Sequence, residues 1–201
     1  MTRTLIFTFF ISLFAVAQAQ IDTDKIEIIA DDDSIIFKVD GEESAIANSD
    51  MAAYYLSMGL EAAVEGDYSG AEDKFRVALL YDLQNAEILY NLGLAQYFQE
   101  DYNTAIKTFD AAADVDPENK DIYNQRGLSK AMLGNYTDAE TDFKIMLKYD
   151  PNFPMGNYNY GILMLQIGEM ESACEYLNKS DSYGYEKAPE VLAAYCSGYG
   201  D

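Results

Sequence analysis

The sequence predicts an all-α solenoid of four helix-turn-helix repeats, and three observations carry that prediction. Four glycines, Gly59, Gly93, Gly127 and Gly161, recur every 34 residues. Four alanines, Ala71, Ala105, Ala139 and Ala173, recur at the same interval. Around each alanine the pattern repeats as well: Phe75, Phe109, Phe143 or Leu177 stands four residues after it, and Tyr68, Tyr102, Tyr136 or Met170 three residues before. An i, i+4 spacing puts the alanine and the bulky residue on one helix face. Glycine and alanine belong where the two antiparallel helices of a repeat approach closely. A unit of this length cannot bury its apolar face alone, so copies must stack.

Taken in order, the first segment is a targeting signal. Arg3 precedes an apolar run from Thr4 to Val16, and Ala17-Gln18-Ala19 is a small-x-small cleavage pattern. Residues 1–19 are therefore expected to be removed before Gln20 on export, leaving no permanent membrane span; the run is short for an uncleaved anchor, the competing reading. No cysteine near the cleavage site offers itself for lipid attachment. Residues 20–49 form an N-terminal extension outside the repeat pattern. There Lys25-Ile26-Glu27-Ile28-Ile29 and Ile35-Ile36-Phe37-Lys38-Val39 flank Asp31-Asp32-Asp33-Ser34. This reads either as a hairpin with an acidic turn or as an arm that orders on contact. The tetrad lacks the alternating ligands and trailing glutamate of a calcium loop, so a solvated turn is expected and no metal.

The solenoid occupies residues 50–201, with repeats at 52–85, 86–119, 120–153 and 154–187 and a closing helix at about 188–197. Asp67, Asp101 and Asn135 precede the second helices as N-caps, and Asn85 and Asn119 precede first helices in the same role. Pro117 and Pro151 end the helices before them, having no amide donor. The closing helix starts near Pro189 and carries Cys196 at its end; folding back antiparallel would bring Cys196 level with Cys174. Either these two form a disulfide in an oxidising compartment, or they are two buried apolar thiols.

These motifs resemble the tetratricopeptide repeat family. The second copy reads Leu89, Leu92-Gly93, Tyr97, Ala105, Phe109, Ala112 and Asp116-Pro117. The third reads Tyr123, Gly127, Ala139, Phe143 and Asp150-Pro151, with Arg126 where the family prefers leucine. The first has Tyr55, Met58-Gly59, Ala71, Phe75 and Ala78, with Leu83 in place of the closing proline; the fourth, with Asn157, Tyr160-Gly161, Ala173 and Leu177, is the most divergent. The resemblance covers residues 52–187. It implies a right-handed solenoid whose first helices line a concave groove. Carried onto this chain, the groove set is Leu60, Tyr90, Asn91, Leu94, Tyr97, Phe98, Asn124, Gln125, Leu128, Met132, Tyr158, Asn159 and Ile162, flanked by Leu56 and Leu165. The amides of Asn91, Asn124 and Asn159 would pair with an extended peptide while the aromatic residues supply contact area. Two alternatives stay open: several of these side chains are interhelix core, or Ile35-Ile36-Phe37 of the same chain fills the groove. The version of the family that clamps a carboxylate tail uses lysines and arginines at groove positions that hold no basic residue here. The cysteine-bearing ending also resembles that of other secreted bacterial repeat proteins.

Composition narrows the partners. With 13 basic and 35 acidic residues the net charge is −22. Removal of Arg3 leaves 12 against 35, or −23. Nucleic acid and anionic lipid are disfavoured, since both need clustered Lys and Arg; a neutral or basic protein or peptide is favoured. Histidine is absent, and no nucleophile elbow, phosphate loop or dinucleotide fingerprint occurs. No catalytic residue and no cofactor are expected. The reading is an exported, non-enzymatic binding scaffold; the alternative is a structural, self-associating envelope component.

Overall fold

The computed structural model describes residues 26–30, 34–39 and 42–198 of the 201-residue chain. The segment assigned to export, residues 1–19, and the acidic residues 31–33 lie outside the described residues. Two compact units are present, Met1–Met51 and Ala52–Asp201. In the first, strands β1 (Ile26–Ala30), β2 (Ser34–Val39) and β3 (Glu42–Ala47) form an antiparallel sheet in the order β1-β2-β3. Ile28 pairs with Phe37 and Phe37 with Ser44. The β-branched runs that mark β1 and β2 are visible in the sequence. Strand β3, EESAIA, carries no such run, and its pairing with β2 defines it.

Nine helices follow among the described residues: α1 (Asn48–Val64), α2 (Tyr68–Tyr81), α3 (Ala86–Phe98), α4 (Tyr102–Val115), α5 (Lys120–Met132), α6 (Tyr136–Tyr149), α7 (Pro154–Ile167), α8 (Met170–Ser182) and α9 (Ala188–Tyr195). From α1 they form an all-α solenoid. Odd-numbered helices α1 to α7 are the first helices of the four repeats, and α9 closes the stack. Successive helices pack, and α3, α5 and α7 also touch one another in series.

Local chemistry sets the boundaries. Asp67 accepts from the Gly70 amide at 2.9 Å and Asp101 from the Thr104 amide at 3.1 Å, while Asn85 and Asn119 cap α3 and α5. Asn135 departs from the expectation. Its backbone angles (φ −82°, ψ 61°) match those of Asp101 (φ −81°, ψ 67°), yet its side chain makes no cap bond. Helices α4 and α6 end at Val115 and Tyr149, two residues before Pro117 and Pro151. Each turn between the two helices of a repeat needs one left-handed residue, filled by Gly66, Gly134 and Gly168 but by Glu100 (φ 64°) in the second repeat. Only glycine adopts that conformation without steric cost, so Glu100 is the anomaly.

The four alanines of the repeat are fully buried, and Phe75, Phe109, Phe143 and Leu177 lie with them in the core. Each of these bulky residues is pressed onto the glycine of its own repeat. A Cβ built on Gly93 would sit 2.6 Å from Phe109 Cε1, and one on Gly127 3.0 Å from Phe143 Cε1. The stack ends on Cys174, Leu177 and Cys196, with Val191 and Leu192 of α9 packed over them. Cys174 and Cys196 form a disulfide, closing a span of 22 residues. In the chain-entropy picture that closure contributes about 3 kcal/mol.

Gly93→Ala and Gly127→Ala should differ although both sit at the same repeat position. Overpacking costs about 1–3 kcal/mol, while replacing a helical glycine by alanine gains about 1 kcal/mol. The tighter Gly93 site is expected to lose stability and the looser Gly127 site to stay near neutral. Urea midpoints of the two variants check this ordering.

Candidate functional site

Stacking the repeats in register shows what the first-helix surface is made of. One row contains Ser57, Asn91, Gln125 and Asn159; three residues on runs Leu60, Leu94, Leu128 and Ile162; four further on come Val64, Phe98, Met132 and Gln166. Positions i, i+3 and i+7 share a helix face, so each first helix presents an amide or hydroxyl and then two large side chains. Exposure rises along that face: Leu60 is 39% exposed, Phe98 53%, Met132 57% and Val64 89%. Side chains this apolar at this exposure form a surface that water covers poorly.

Between the first and second repeats this surface opens into a pocket of about 230 Å³. Helix α1 contributes Leu60, Ala63 and Val64, α2 contributes Tyr68 and Phe75, and α3 contributes Asn91, Leu94, Ala95 and Phe98. Tyr68 and Phe98 stack at 4.8 Å and form one wall. Ala63 meets this space with a methyl group only. Its register partners in the later repeats are Tyr97, whose ring packs against Phe98 at 5.6 Å and Tyr102 at 5.3 Å, then Ala131 and Leu165.

The groove residues expected from the sequence divide accordingly. Leu60, Asn91, Leu94 and Phe98 line the pocket. Tyr90, Tyr97 and Leu128 are half-buried against the main core cluster, as is Leu94, so their packing is partly structural. Tyr90 also lies 6.1 Å from Phe109. Tyr158 and Ile162 pack on the closing-helix cluster, with Tyr158 against Tyr185 at 4.8 Å. Gln125 and Asn159 are half-buried and Met132 is exposed. Asn124 is a correction: it is 0% exposed and offers no surface to a partner. It shares its register with Tyr90 and Tyr158, whose long rings reach outward where a short amide is engulfed. Its Oδ1 accepts from Asn159 Nδ2 at 2.9 Å, and its own Nδ2 has no partner. Asn91 Nδ2 is likewise tied down, donating to the Glu87 carbonyl at 2.8 Å. Each of these two amides keeps a second N–H and a carbonyl oxygen, so both Asn91 and Asn159 can still donate and accept.

Burial first, and neighbouring charge or phenols second, pushes the Tyr90, Tyr97 and Tyr158 phenols upward, so all three remain neutral donors at physiological pH.

A second constellation was not legible from the repeats. Asp142 on α6 is 1% exposed and meets Arg126 through two bonds of 2.6 and 3.0 Å and Lys130 at 2.7 Å. Arg126 also reaches Asp110 at 2.7 Å and lies 5.1 Å over the Tyr123 ring. One repeat earlier the same three positions are Leu92, Gln96 and Thr108, where Thr108 donates to Gln96 Oε1 at 2.7 Å. One repeat later they are Tyr160, Met164 and Tyr176, with rings 4.5 Å apart. The trio changes together: neutral and hydrogen-bonded, then ionic, then aromatic. Arg126 alone signals its departure in the sequence, but its partners become visible only once α5 and α6 are paired. Arg126 and Lys130 of this first helix thus turn toward second-helix carboxylates.

Glu72 does comparable work between repeats. Its carboxylate accepts from Gln96 of α3 at 3.1 Å, from Gln99 just past the end of α3 at 2.7 Å, and from Arg76 at 2.7 Å. Burial alone would raise this carboxyl; the hydrogen bonds from Arg76, Gln96 and Gln99 and the Arg76 charge outweigh it and hold the group below 4.5.

With the geometry in place, comparison with known proteins identifies the chain as a member of the tetratricopeptide repeat family, whose profile matches residues 56–120, 90–143 and 124–189. Three solved structures are similar in fold. MamA from Desulfovibrio magneticus RS-1 is 19% identical over 74% of this chain and 85% of that one, with a TM-score of 0.66. YrrB, described as a TPR protein with an unusual peptide-binding site, is 24% identical over 71% and 74%, with a TM-score of 0.62. The first TPR of Spaghetti (RPAP3), bound to the HSP90 peptide SRMEEVD, is 18% identical over 60% and 95%, with a TM-score of 0.58. No curated protein matches the chain in sequence.

Two predictions follow the ionic constellations. Asp142→Asn leaves two cations without their buried anion and is expected to cost about 3 kcal/mol. Installing the neighbouring repeat's trio (Arg126→Leu, Lys130→Gln and Asp142→Thr together) should cost far less, which chemical denaturation of both variants measures. For Glu72 the folded-state pKa lies below the unfolded value, so its contribution is complete above that value and fades as pH falls through the folded one. Between about pH 6 and pH 3, the parent should therefore lose more thermal stability than Glu72→Gln.

Proposed function

We propose that the chain is an exported, non-enzymatic scaffold that holds a protein or peptide segment against the first-helix surface of its solenoid. One observation carries this reading: an open apolar pocket walled by Leu60, Val64 and Phe98, which no side chain of the solenoid fills. Buried apolar anchors dominate protein recognition, and a preformed pocket with large exposed neighbours is the form such an anchor site takes. Two of the similar structures are described in terms of peptide binding, which supports the same use of the surface here. The export assignment rests on residues 1–19, and the Cys174–Cys196 disulfide supports an oxidising destination. Binding rather than catalysis is supported by the absence of histidine and by a first-helix surface of amides and apolar side chains.

A second reading, a self-associating structural component of the envelope, draws on Leu80 and Leu83 near the end of α2. They are 75% and 74% exposed and do not line the pocket.

Affinity capture and sedimentation separate the two readings. With the parent chain as bait, a specific protein should be retained and then lost with the double variant Leu60→Ser, Phe98→Ser, whose solenoid remains folded by circular dichroism. Concentration-dependent self-association unaffected by that variant and abolished by Leu80→Ser, Leu83→Ser would replace the scaffold reading with the structural one. Cell fractionation with N-terminal sequencing is expected to find an exported chain beginning at Gln20; an intact Met1 in the cytoplasm would overturn the export assignment.

A further inference from the structure

We propose that the pocket beside Ala63 receives one branched aliphatic or aromatic side chain of an extended, cationic segment of a partner protein; this rests on the scaffold reading above. Size comes first. Sites for whole small molecules begin at about 300 Å³, and this pocket encloses about 230 Å³. It is the scale of a single side chain, and its walls are almost wholly apolar.

Charge selects what surrounds that anchor. Helices α1 and α3, which flank the pocket, carry no lysine or arginine at all. From residue 48 to 101 there are ten acidic residues and two basic ones, Lys74 and Arg76, both on α2, with Arg76 paired to Glu72 at 2.7 Å. Glu61 adjoins Leu60, Glu65 adjoins Val64, and Glu100 stands two residues after Phe98; all three are exposed and make no ion pair among the described residues. Glu100 is held at φ 64°, where the other three repeats place glycine. A carboxylate is thus kept two residues along the chain from the pocket-lining Phe98, at a steric cost that glycine would remove. Asn91, on the pocket wall, adds an amide that can hydrogen-bond an extended backbone. An apolar hole on helices that carry acids and no cation complements a hydrophobic residue flanked by Lys or Arg.

Spacing supports an extended occupant. Packed helices lie about 8–10 Å apart, and an extended chain rises about 3.3 Å per residue. Every third residue of such a segment therefore meets the next first helix, where Leu94 and Phe98 give way to Leu128 and Met132.

The test uses two labelled twelve-residue peptides, four copies of Lys-Ser-Leu and four of Glu-Ser-Leu, titrated into the parent chain by fluorescence anisotropy. The lysine peptide should bind, the glutamate peptide should bind at least about tenfold more weakly, and rising salt should weaken the lysine complex. Ala63→Tyr, which installs the residue found one repeat later, should weaken binding about tenfold, the scale of one buried apolar side chain. Glu100→Gly should weaken it several-fold while raising the melting temperature, so loss of fold cannot account for the effect. Equal binding of the two peptides, or binding indifferent to Ala63→Tyr, overturns the proposal. If the captured natural partner is lost with Ala63→Tyr while the peptides are not distinguished, the scaffold stands and the cationic class fails. If neither depends on Ala63 or Phe98, both fail. Self-association abolished by Ala63→Tyr would make the occupant a second copy and also overturn it.

Discussion

The contact of each repeat's glycine with its bulky partner is the constraint on which the solenoid depends. Gly59 with Phe75, Gly93 with Phe109, Gly127 with Phe143 and Gly161 with Leu177 bring the two helices of a repeat to a separation that no added methyl group would permit without displacement. Four fully buried alanines keep the same approach from the second helix. Because these positions recur in register, every first helix turns the same face outward. The recurring rows of one short polar position and two larger side chains follow from that rotation.

Within this frame each repeat solves one shared packing problem with different chemistry. The trio Arg126, Lys130 and Asp142 occupies positions filled by Leu92, Gln96 and Thr108 before it and Tyr160, Met164 and Tyr176 after it. A buried carboxylate is tolerated in the third repeat because two cations and several hydrogen bonds surround it; removing any one member exposes the desolvation cost of the others. In the fourth repeat the Glu140 carboxylate accepts from the Tyr160 phenol at 3.1 Å, and burial together with that carboxylate pushes the phenol well above its ordinary value. In the third repeat this pairing draws Arg126 and Lys130 inward, to 14% and 19% side-chain exposure.

The pocket opens where the methyl group of Ala63 faces the wall that Tyr68 and Phe98 frame. At the other end of the stack the equivalent surface is occupied by the chain itself. Helix α9 and the Cys174–Cys196 bridge cover the last repeat, with Tyr158, Ile162 and Leu165 packed into the cluster they form. The first-helix surface is therefore open near the first two repeats and closed at the fourth, an asymmetry that four similar repeats do not foretell.

Periodicity alone determined the helix pairs, their order, most caps and the buried Gly–Phe seam, because each of these depends on residues within one repeat length of one another. The two cysteines and the closing helix were likewise visible, though which of two chemistries joined them was decided by folding. Tertiary structure decided whatever depended on side-chain reach across helices. Asn124 looked like a groove amide and is engulfed, because its short side chain does not extend as far as the tyrosines in its register. Nothing in the sequence sets Asp142 apart from the other acids, yet it is a buried anion, because α5 brings two cations to it. Strand β3, with no alternating pattern of its own, is defined by its pairing to β2. The pocket needed three helices at once, and one-dimensional spacing carries no information about the volume left when their side chains meet.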